Sequence, residues 1–341
     1  MRSPQEKQES LKKFRKGKPG FYPDQAIYAE FACSEFGLAF RDIDGGSGLL
    51  FSVAAKGKSL YLGAGRSSWY PQNNATASTL ASDKNFTSKI LVQANIPTLG
   101  GEYFFLNDRH RAHRPAGHER DEAVAYFGTL GASAFLKPLS GSRGDFAQAI
   151  HSEAALNRYL DEVAKYYDSV LIQPIVEGTE YRIFLLDDDA LFCARKHPPF
   201  VRGDGVRTLR ELLAVHNDAL RARGLSPVAP DDSDPALDAV PAAGARRDIP
   251  GRMNLSAGGT MVIEPPPSQA AVALARAAGR ALGLRVAAVD LFAAIGGDPD
   301  AMTIIEVNSN PSIRLLEQSD RGDLILKIWH HTFTAMGLMG V

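Results

Sequence analysis

The spacing of apolar residues changes several times along the chain, and each change predicts a different kind of element. Residues 24–37 carry apolar side chains at an approximately helical period. Residues 49–53 and 59–62 are short apolar runs separated by Lys56-Gly57-Lys58, which is typical of two strands joined by a turn. We therefore expect a small mixed α/β lobe over residues 1–80.

Helices and strands continue to alternate beyond this lobe. A Ser82-Asp83 cap predicts a helix over 84–94, which Ile96-Pro97 ends. The remaining pattern predicts strands at 102–106, 134–137, 169–173, 180–186, 190–196, 286–293 and 303–307, and helices at 119–128, 153–167, 208–223 and 269–282. Residues 226–250 are rich in Pro, Asp and Ala without periodicity, which favours a loop. The fold class is accordingly α/β (α+β).

Composition and charge exclude several classes of protein. The 38 basic and 39 acidic side chains leave a net charge of -1, so no global positive field draws the chain to nucleic acid or to a membrane surface. The most apolar stretch, residues 286–295, is interrupted by Asp290 and is too short for a membrane helix. With only two cysteines, a cytoplasmic protein is expected. The basic first twenty residues favour a solvated helix or frayed arm over a phosphate- or partner-binding arm.

Three oxygen-bearing side chains lie on the last two predicted strands. Asp290 interrupts an apolar strand, and Glu306 and Asn308 are spaced i, i+2, so both point to one face of the next strand. A buried carboxylate must be neutralised, and hard oxygen donors on neighbouring strands suit Mg²⁺ beside phosphates. The alternative is a structural ion pair between Asp290 and an arginine such as Arg285 or Arg314, which would leave Glu306 and Asn308 unexplained.

A second group of residues is typical of a nucleotide site. Lys137 ends a strand and precedes the glycine-rich residues 139–144, whose backbone N–H groups could close over phosphates. Taken alone, such a loop is more typical of a surface turn, and the other motifs of the chain favour the phosphate loop. Residues 173–180 then connect two strands, which is a suitable place for adenine and for a carboxylate on the ribose.

Several short motifs, in the same order along the chain, resemble the ATP-grasp superfamily. They are Ser82-Asp83-Lys84, Phe135-Leu136-Lys137-Pro138, Glu177-Gly178-Thr179-Glu180-Tyr181-Arg182, Asn254-Leu255-Ser256-Ala257-Gly258-Gly259 and Glu306-Val307-Asn308-Ser309-Asn310-Pro311. Within that superfamily, residues 202–212 and the run 254–259 are most similar to the ATP-grasp parts of cyanophycin synthetase and of bifunctional glutathione synthetases. The resemblance covers about residues 80–320 and implies two α/β lobes, 81–175 and 176–341, that clasp ATP.

The resemblance also implies roles for individual residues. ATP would be held by Lys84, Lys137, Gly141, Ser142, Gly144, Gln173, Pro174, Ile175, Val176 and Glu180. Two Mg²⁺ ions, with Mn²⁺ as an alternative, would be held by Asp290, Glu306 and Asn308. The catalytic arginine would be Arg252, with Arg314 as its substitute, and the substrate would contact Arg182, Arg207, Asn254, Ser256 and Gly258. Ala288 occupies the position of an arginine found in the D-alanine ligase type, which argues against that activity.

The implied function is an ATP-dependent carboxylate-amine ligase that works through an acyl phosphate on amino acids or short peptides. The alternatives are a nucleotide-binding module without ligase activity and an ATP-grasp phosphotransferase. The oligomeric state stays open, with a homo-oligomer, either a dimer or a tetramer, as one alternative. Trp69, Tyr70 and Asn73-Asn74 either line the substrate end of the site or pack within a loop.

Overall fold

The computed structural model describes residues 3–63, 69–140, 144–222, 227, 234–249 and 259–340. The helices are α1 Pro4–Arg15, α2 Asp24–Phe36, α3 Ala75–Ser82, α4 Lys84–Gln93, α5 Arg120–Thr129, α6 Glu153–Val163, α7 Leu209–Ala222, α8 Gln269–Ala281, α9 Arg314–Gln318 and α10 Gly322–Ala335. The strands are β1 Ala39–Asp42, β2 Leu50–Ala55, β3 Lys58–Gly63, β4 Glu102–Phe105, β5 Ala134–Pro138, β6 Gln148–Ile150, β7 Ser169–Gln173, β8 Thr179–Leu186, β9 Asp189–His197, β10 Phe200–Arg202, β11 Arg246–Asp248, β12 Thr260–Ile263, β13 Val286–Ala293 and β14 Met302–Asn308. Among the residues described, no helix is long and apolar enough to cross a membrane.

The strands form four antiparallel sheets. A three-stranded sheet has the order β1-β2-β3, a four-stranded sheet has the order β4-β7-β5-β6, and a five-stranded sheet has the order β12-β9-β8-β13-β14. The ribbon β10-β11 is separate from them. The predicted hairpin 180–196 is present as β8-β9, and the mixed α/β class is confirmed.

The two faces of the five-stranded sheet belong to different cores. On one face, alternate residues Ile183, Leu185 and Val289 pack against α8. This helix lies close to the sheet because alanines occupy its inner side, and a Cβ on Gly279 would come within 3.0 Å of Leu185. The opposite face contributes to the largest core, which also contains α1, α2 and α10.

The basic N-terminal segment is a helix as expected, but it is docked on the protein and is neither fully solvated nor frayed. Leu11 in α1 is fully buried, and the side chain of Gln8 donates to the carbonyl oxygen of Glu317 at 3.0 Å. Arg15 binds both Glu317 and Asp24. This network ties α1 to α2 and α9.

Residues after β9 build a small core of their own. Val201 of β10 and Ile249 pack with the apolar side of α7 and with Leu237. The described part of the predicted loop 226–250 therefore contains a short helical turn, Pro235–Asp238, and the strand β11. Tertiary packing against α7 gives order to a segment that carries no periodic pattern.

Candidate active site

The site begins where one face of the five-stranded sheet changes from apolar to charged. Side chains alternate along a strand, so Phe184 and Leu186 of β8 share a face with Glu180 and Arg182. The first pair lies in the largest core, whereas the second pair lies beyond its edge. Asp290 of β13 is opposite Arg182 in the ladder, which brings the charged ends of the two strands together.

Asp290 is the centre of this charged region and is fully buried. Nε and Nη2 of Arg182 donate to its two carboxylate oxygens at 2.6 and 2.7 Å, and Nζ of Lys196 donates to Oδ2 at 2.8 Å. Burial alone would raise the pKa of Asp290, but Arg182 and Lys196 hold that pKa below its ordinary value. The carboxylate is therefore ionised and fully paired.

Lys196 is a central residue that the sequence reasoning missed. It is buried near the end of β9 and contacts Glu180 as well as Asp290. Burial lowers its pKa, but the carboxylates outweigh this effect and the net shift is upward. Burial raises the pKa of Glu180, and Lys196 opposes that rise. The period-two pattern of β9 could have identified it, because Lys196 lies on the same face as Phe192 and Ala194, which is also the face that carries Glu180.

Glu306 and Asn308 lie on β14 beside Asp290. Glu306 is opposite Asp290 and Asn308 is opposite Ala288 in the ladder, so both point to the charged face as predicted. Both side chains are half-buried, and Nδ2 of Asn308 donates to Oε1 of Glu306 at 3.2 Å. The amide oxygen of Asn308 is thus directed away from this hydrogen bond.

Lys84 approaches the same carboxylates from α4, and Lys137 approaches them from the four-stranded sheet. The side chain of Asp83 caps α4 by accepting from the backbone N–H groups of Asn85 and Phe86, which places Lys84 in the first turn. Nζ of Lys84 donates to the carbonyl oxygen of Leu139 at 3.3 Å, at the start of the glycine-rich segment. Lys137 ends β5 and is 7% exposed.

Burial lowers the pKa of both lysines. That of Lys137 falls to about 8, because burial outweighs the opposing effect of Glu306, and the positive charge of Lys84 lowers it further. Glu306 also opposes the lowering at Lys84. Two lysines are therefore held close together and close to Glu306, although their charges repel.

The connection between β7 and β8 forms the remaining edge of the site. Gln173 is buried, and its Nε2 donates to the carbonyl oxygen of Gly100 at 2.7 Å. Its Oε1 is also buried and has no hydrogen-bond partner among the described residues. Pro174, Ile175 and Val176 then lead to β8, and Ile175 is exposed.

Two predicted site residues have their guanidinium groups engaged elsewhere. Nη1 of Arg314 donates to both carboxylate oxygens of Asp24 at 2.9 and 3.0 Å, and Nε of Arg207 donates to Asp204 at 2.6 Å. Gly144 is described, but Gly141, Ser142, Arg252, Asn254, Ser256 and Gly258 lie outside the described residues. Within the described part of the chain, no group of three or more His, Cys, Asp or Glu side chains is arranged to hold a metal ion.

Similar proteins agree with this architecture. No protein-family model matches the chain. The glutathione biosynthesis bifunctional protein of Mannheimia succiniciproducens is 27% identical over 57% of this chain and 29% of its own length, and that of Streptococcus mutans is 31% identical over 58% and 30%. Cyanophycin synthetase of Trichormus variabilis is 27% identical over 69% and 27%. The chain thus matches less than a third of each of these curated relatives.

A solved structure with a similar fold identifies the architecture. The bifunctional glutathione synthetase from Pasteurella multocida superposes with a TM-score of 0.54 at 20% identity, over 89% of this chain and 44% of that one. The chain therefore has the ATP-grasp fold. The resemblance to the ATP-grasp parts of bifunctional glutathione synthetases and of cyanophycin synthetase is confirmed.

Proposed function

We propose that this protein is an ATP-dependent carboxylate-amine ligase. The observation that supports it best is the charged site, where Lys84, Lys137, Lys196 and Arg182 surround Glu180, Asp290 and Glu306. These four cations and three carboxylates carry a formal net charge of +1. Burying so many charged groups costs desolvation free energy, and such clusters are typical of functional sites. An excess of cations suits a polyanion such as a nucleoside triphosphate.

Each lysine has a distinct part in binding the nucleotide. Lys84 and Lys137 bind phosphate oxygens, because compact ammonium groups suit point contacts with phosphates. The nucleoside occupies the connection 173–176, with Glu180 on the ribose. Lys196 contacts Glu180. A ribose on Glu180 therefore competes with this lysine, for which phosphate oxygens are suitable alternative partners.

The three predicted metal ligands, Asp290, Glu306 and Asn308, fit Mg²⁺ only in part. Glu306 and the amide oxygen of Asn308 are hard oxygen donors on a half-buried edge, as Mg²⁺ requires. Asp290 joins them only if Lys196 releases it, because its oxygens are bound by Arg182 and Lys196. Bound Mg²⁺ would neutralise charge on the transferred phosphoryl group. Phosphate oxygens and water complete such a site, so three acidic side chains are not required.

The reaction couples two displacements. An oxygen of the substrate carboxylate attacks the γ-phosphorus and ADP leaves, which gives an acyl phosphate. The amine then attacks the acyl carbon, loses a proton, and releases phosphate that carries one oxygen of the original carboxylate. Arg252 stabilises the oxyanion that forms in the second step. Amino acids or short peptides are the proposed substrates, because the similar proteins include enzymes named for glutathione biosynthesis and for cyanophycin synthesis.

The decisive experiment supplies ATP and Mg²⁺ with pairs of amino acids and short peptides, and follows both ADP release and product mass. Formation of an amide with one ADP for each bond supports the proposal. Transfer of phosphate to a stable acceptor would identify a phosphotransferase instead. Tight ATP binding without ADP release for any pair would identify a nucleotide-binding module. Transfer of ¹⁸O from labelled carboxylate into phosphate tests the acyl phosphate directly.

A further inference from the structure

The side chain of Asn73 joins the two strands that carry the predicted metal ligands. Asn73 is buried, and it precedes α3, far from those strands in sequence. Its Oδ1 accepts from the backbone N–H groups of Arg285 and Val286, each at 2.9 Å. Its Nδ2 donates to the carbonyl oxygens of Val286 at 2.8 Å and Ser309 at 3.0 Å. All four hydrogen-bonding positions of the carboxamide are thus occupied.

These contacts replace a missing rung of the sheet. The ladder between β13 and β14 ends at the pair Ala288 and Asn308. If the strands continued, Val286 would exchange both of its backbone hydrogen bonds with the residue two positions beyond Asn308. Asn73 makes both of those hydrogen bonds instead. The chain after Asn308 therefore leaves the sheet at a position that Asn73 fixes.

Neighbouring residues hold the departing loop in the same way. The backbone N–H of Trp69 donates to Oδ1 of Asn310 at 3.0 Å, and the hydroxyl of Tyr70 donates to the carbonyl oxygen of Pro311 at 3.0 Å. Tyr70 is itself fully buried, so the anchor does not depend on a mobile surface group. Residues 69–73 consequently contact each of the three residues that follow β14.

We propose that Asn73 is a positioning residue for the metal ligands, a role that rests on the function proposed above. It acts through the backbone of Ser309 and Val286, and it keeps Asn308 and Glu306 directed at the charged face. Outer contacts of this kind change metal affinity by about 10- to 100-fold when they are removed. The expected effect is on metal affinity and not on nucleotide affinity, because Asn73 contacts neither Lys84, Lys137 nor the connection 173–176 in the described structure.

The test measures Mn²⁺ binding by electron paramagnetic resonance in the presence of the non-hydrolysable analogue AMP-PNP. Asn73→Ala removes all four hydrogen bonds, and Asn73→Asp keeps acceptors for the two N–H groups but loses both donors. Both variants are expected to weaken Mn²⁺ binding at least about tenfold, with AMP-PNP affinity in EDTA unchanged. Asn74→Ala is the matched control, because the Asn74 side chain caps α3 at the N–H of Ala77 and, among the described residues, is not hydrogen-bonded to the ligand strands.

Hydrogen exchange gives a second readout that does not need the metal. The amides of residues 309–313 are expected to exchange faster in both Asn73 variants than in Asn74→Ala. Unchanged Mn²⁺ affinity in a folded Asn73→Ala protein would overturn the positioning role, as would equal weakening in Asn74→Ala. If the wild-type protein binds no Mn²⁺ with the analogue, the proposed function itself fails, whereas faster exchange in the Asn73 variants would still show that Asn73 holds this loop.

Discussion

Lys196 binds Asp290 and Glu180 at the same time. Its Nζ donates to Oδ2 of Asp290 at 2.8 Å and also contacts Oε1 of Glu180. One ammonium group therefore contacts both acids that the proposed function assigns to the metal and to the ribose. In the proposed function, nucleotide binding exchanges these contacts for contacts with the ribose and the phosphates.

Removing this ammonium group is expected to destabilise the protein. Lys196→Met should lower the free energy of unfolding by about 3–5 kcal/mol, because it removes a hydrogen-bonded cation shared by two buried carboxylates, Asp290 and Glu180. Urea denaturation at pH 7 measures the change. Lys165→Met is the matched control, since Lys165 forms an exposed pair with Glu162 and its loss should leave stability nearly unchanged. Equal values for the two variants would contradict the role given to Lys196.

Lys137→Met should have the opposite effect on stability. The folded pKa of about 8 lies below the ordinary value of 10.5, so keeping this buried lysine charged at pH 7 opposes folding. Each pKa unit corresponds to about 1.4 kcal/mol, and we expect a gain of roughly 1–3 kcal/mol together with loss of AMP-PNP binding. A less stable protein with intact nucleotide binding would show that Lys137 is a structural residue.

The same pKa predicts a pH dependence with a defined sign. Between about pH 8 and 10.5 the unfolded chain carries the Lys137 proton and the folded protein does not, so the contribution of Lys137 to stability rises with pH. Nucleotide affinity should fall over the same range as the free ammonium group is lost. Lys137→Arg, which stays charged, should bind AMP-PNP with a weaker dependence on pH from 7 to 9.5, as calorimetry can test. Parallel profiles for the two proteins would rule out this titration.

Glu306→Gln should lower kcat by at least about 100-fold, because it removes the charge of a metal ligand while keeping the acceptor for Asn308. The steady-state rate of ADP release at several Mg²⁺ concentrations measures the effect, and circular dichroism confirms the fold. Glu177→Gln serves as the control, since Glu177 is exposed in the neighbouring connection. A near-normal rate for Glu306→Gln would remove Glu306 from the metal site.

Two arginines predicted for catalysis, Arg252 and Arg314, can be separated by substitution. Arg252→Ala should lower kcat by about 10²- to 10³-fold with ATP affinity nearly unchanged. Arg314→Ala should leave kcat unchanged and lower stability by less than about 1 kcal/mol, because Arg314 forms a half-exposed pair with Asp24. Steady-state kinetics and urea denaturation of both variants decide the matter. If only Arg314→Ala loses turnover, the oxyanion role belongs to Arg314.

Local patterns were sufficient to predict much of this site. Period-two alternation placed Glu306 and Asn308 on one face, and a single charge in an apolar strand marked Asp290. The expected structural partner of Asp290 was Arg285 or Arg314, but both bind other acids, Asp187 and Asp24. The true partner, Arg182, lies opposite Asp290 in the ladder, and the register between strands 108 residues apart is not encoded locally.

Lys196 and Asn73 were harder to predict for the same reason. Each belongs to an unremarkable local pattern, a lysine near the end of a strand and an asparagine before a helix. Their importance comes from β9 lying next to β8, and from residues 69–73 crossing the end of the β13-β14 pair. The docking of α1 was hard to predict for the same reason, because one of the two acids that bind Arg15 is Glu317, 302 residues away.

The packing of α1 and α2 against α10 also affects how the protein is made. Their shared core cannot close until residues about 300 positions later have been synthesised. At roughly 5–20 residues per second, the ribosome needs about 15–60 s to reach them. During that time Ile27, Phe31 and Tyr28 lack the part of this core that α9 and α10 contribute. The apolar side of α2 is therefore fully covered only late in synthesis, after α10 has emerged.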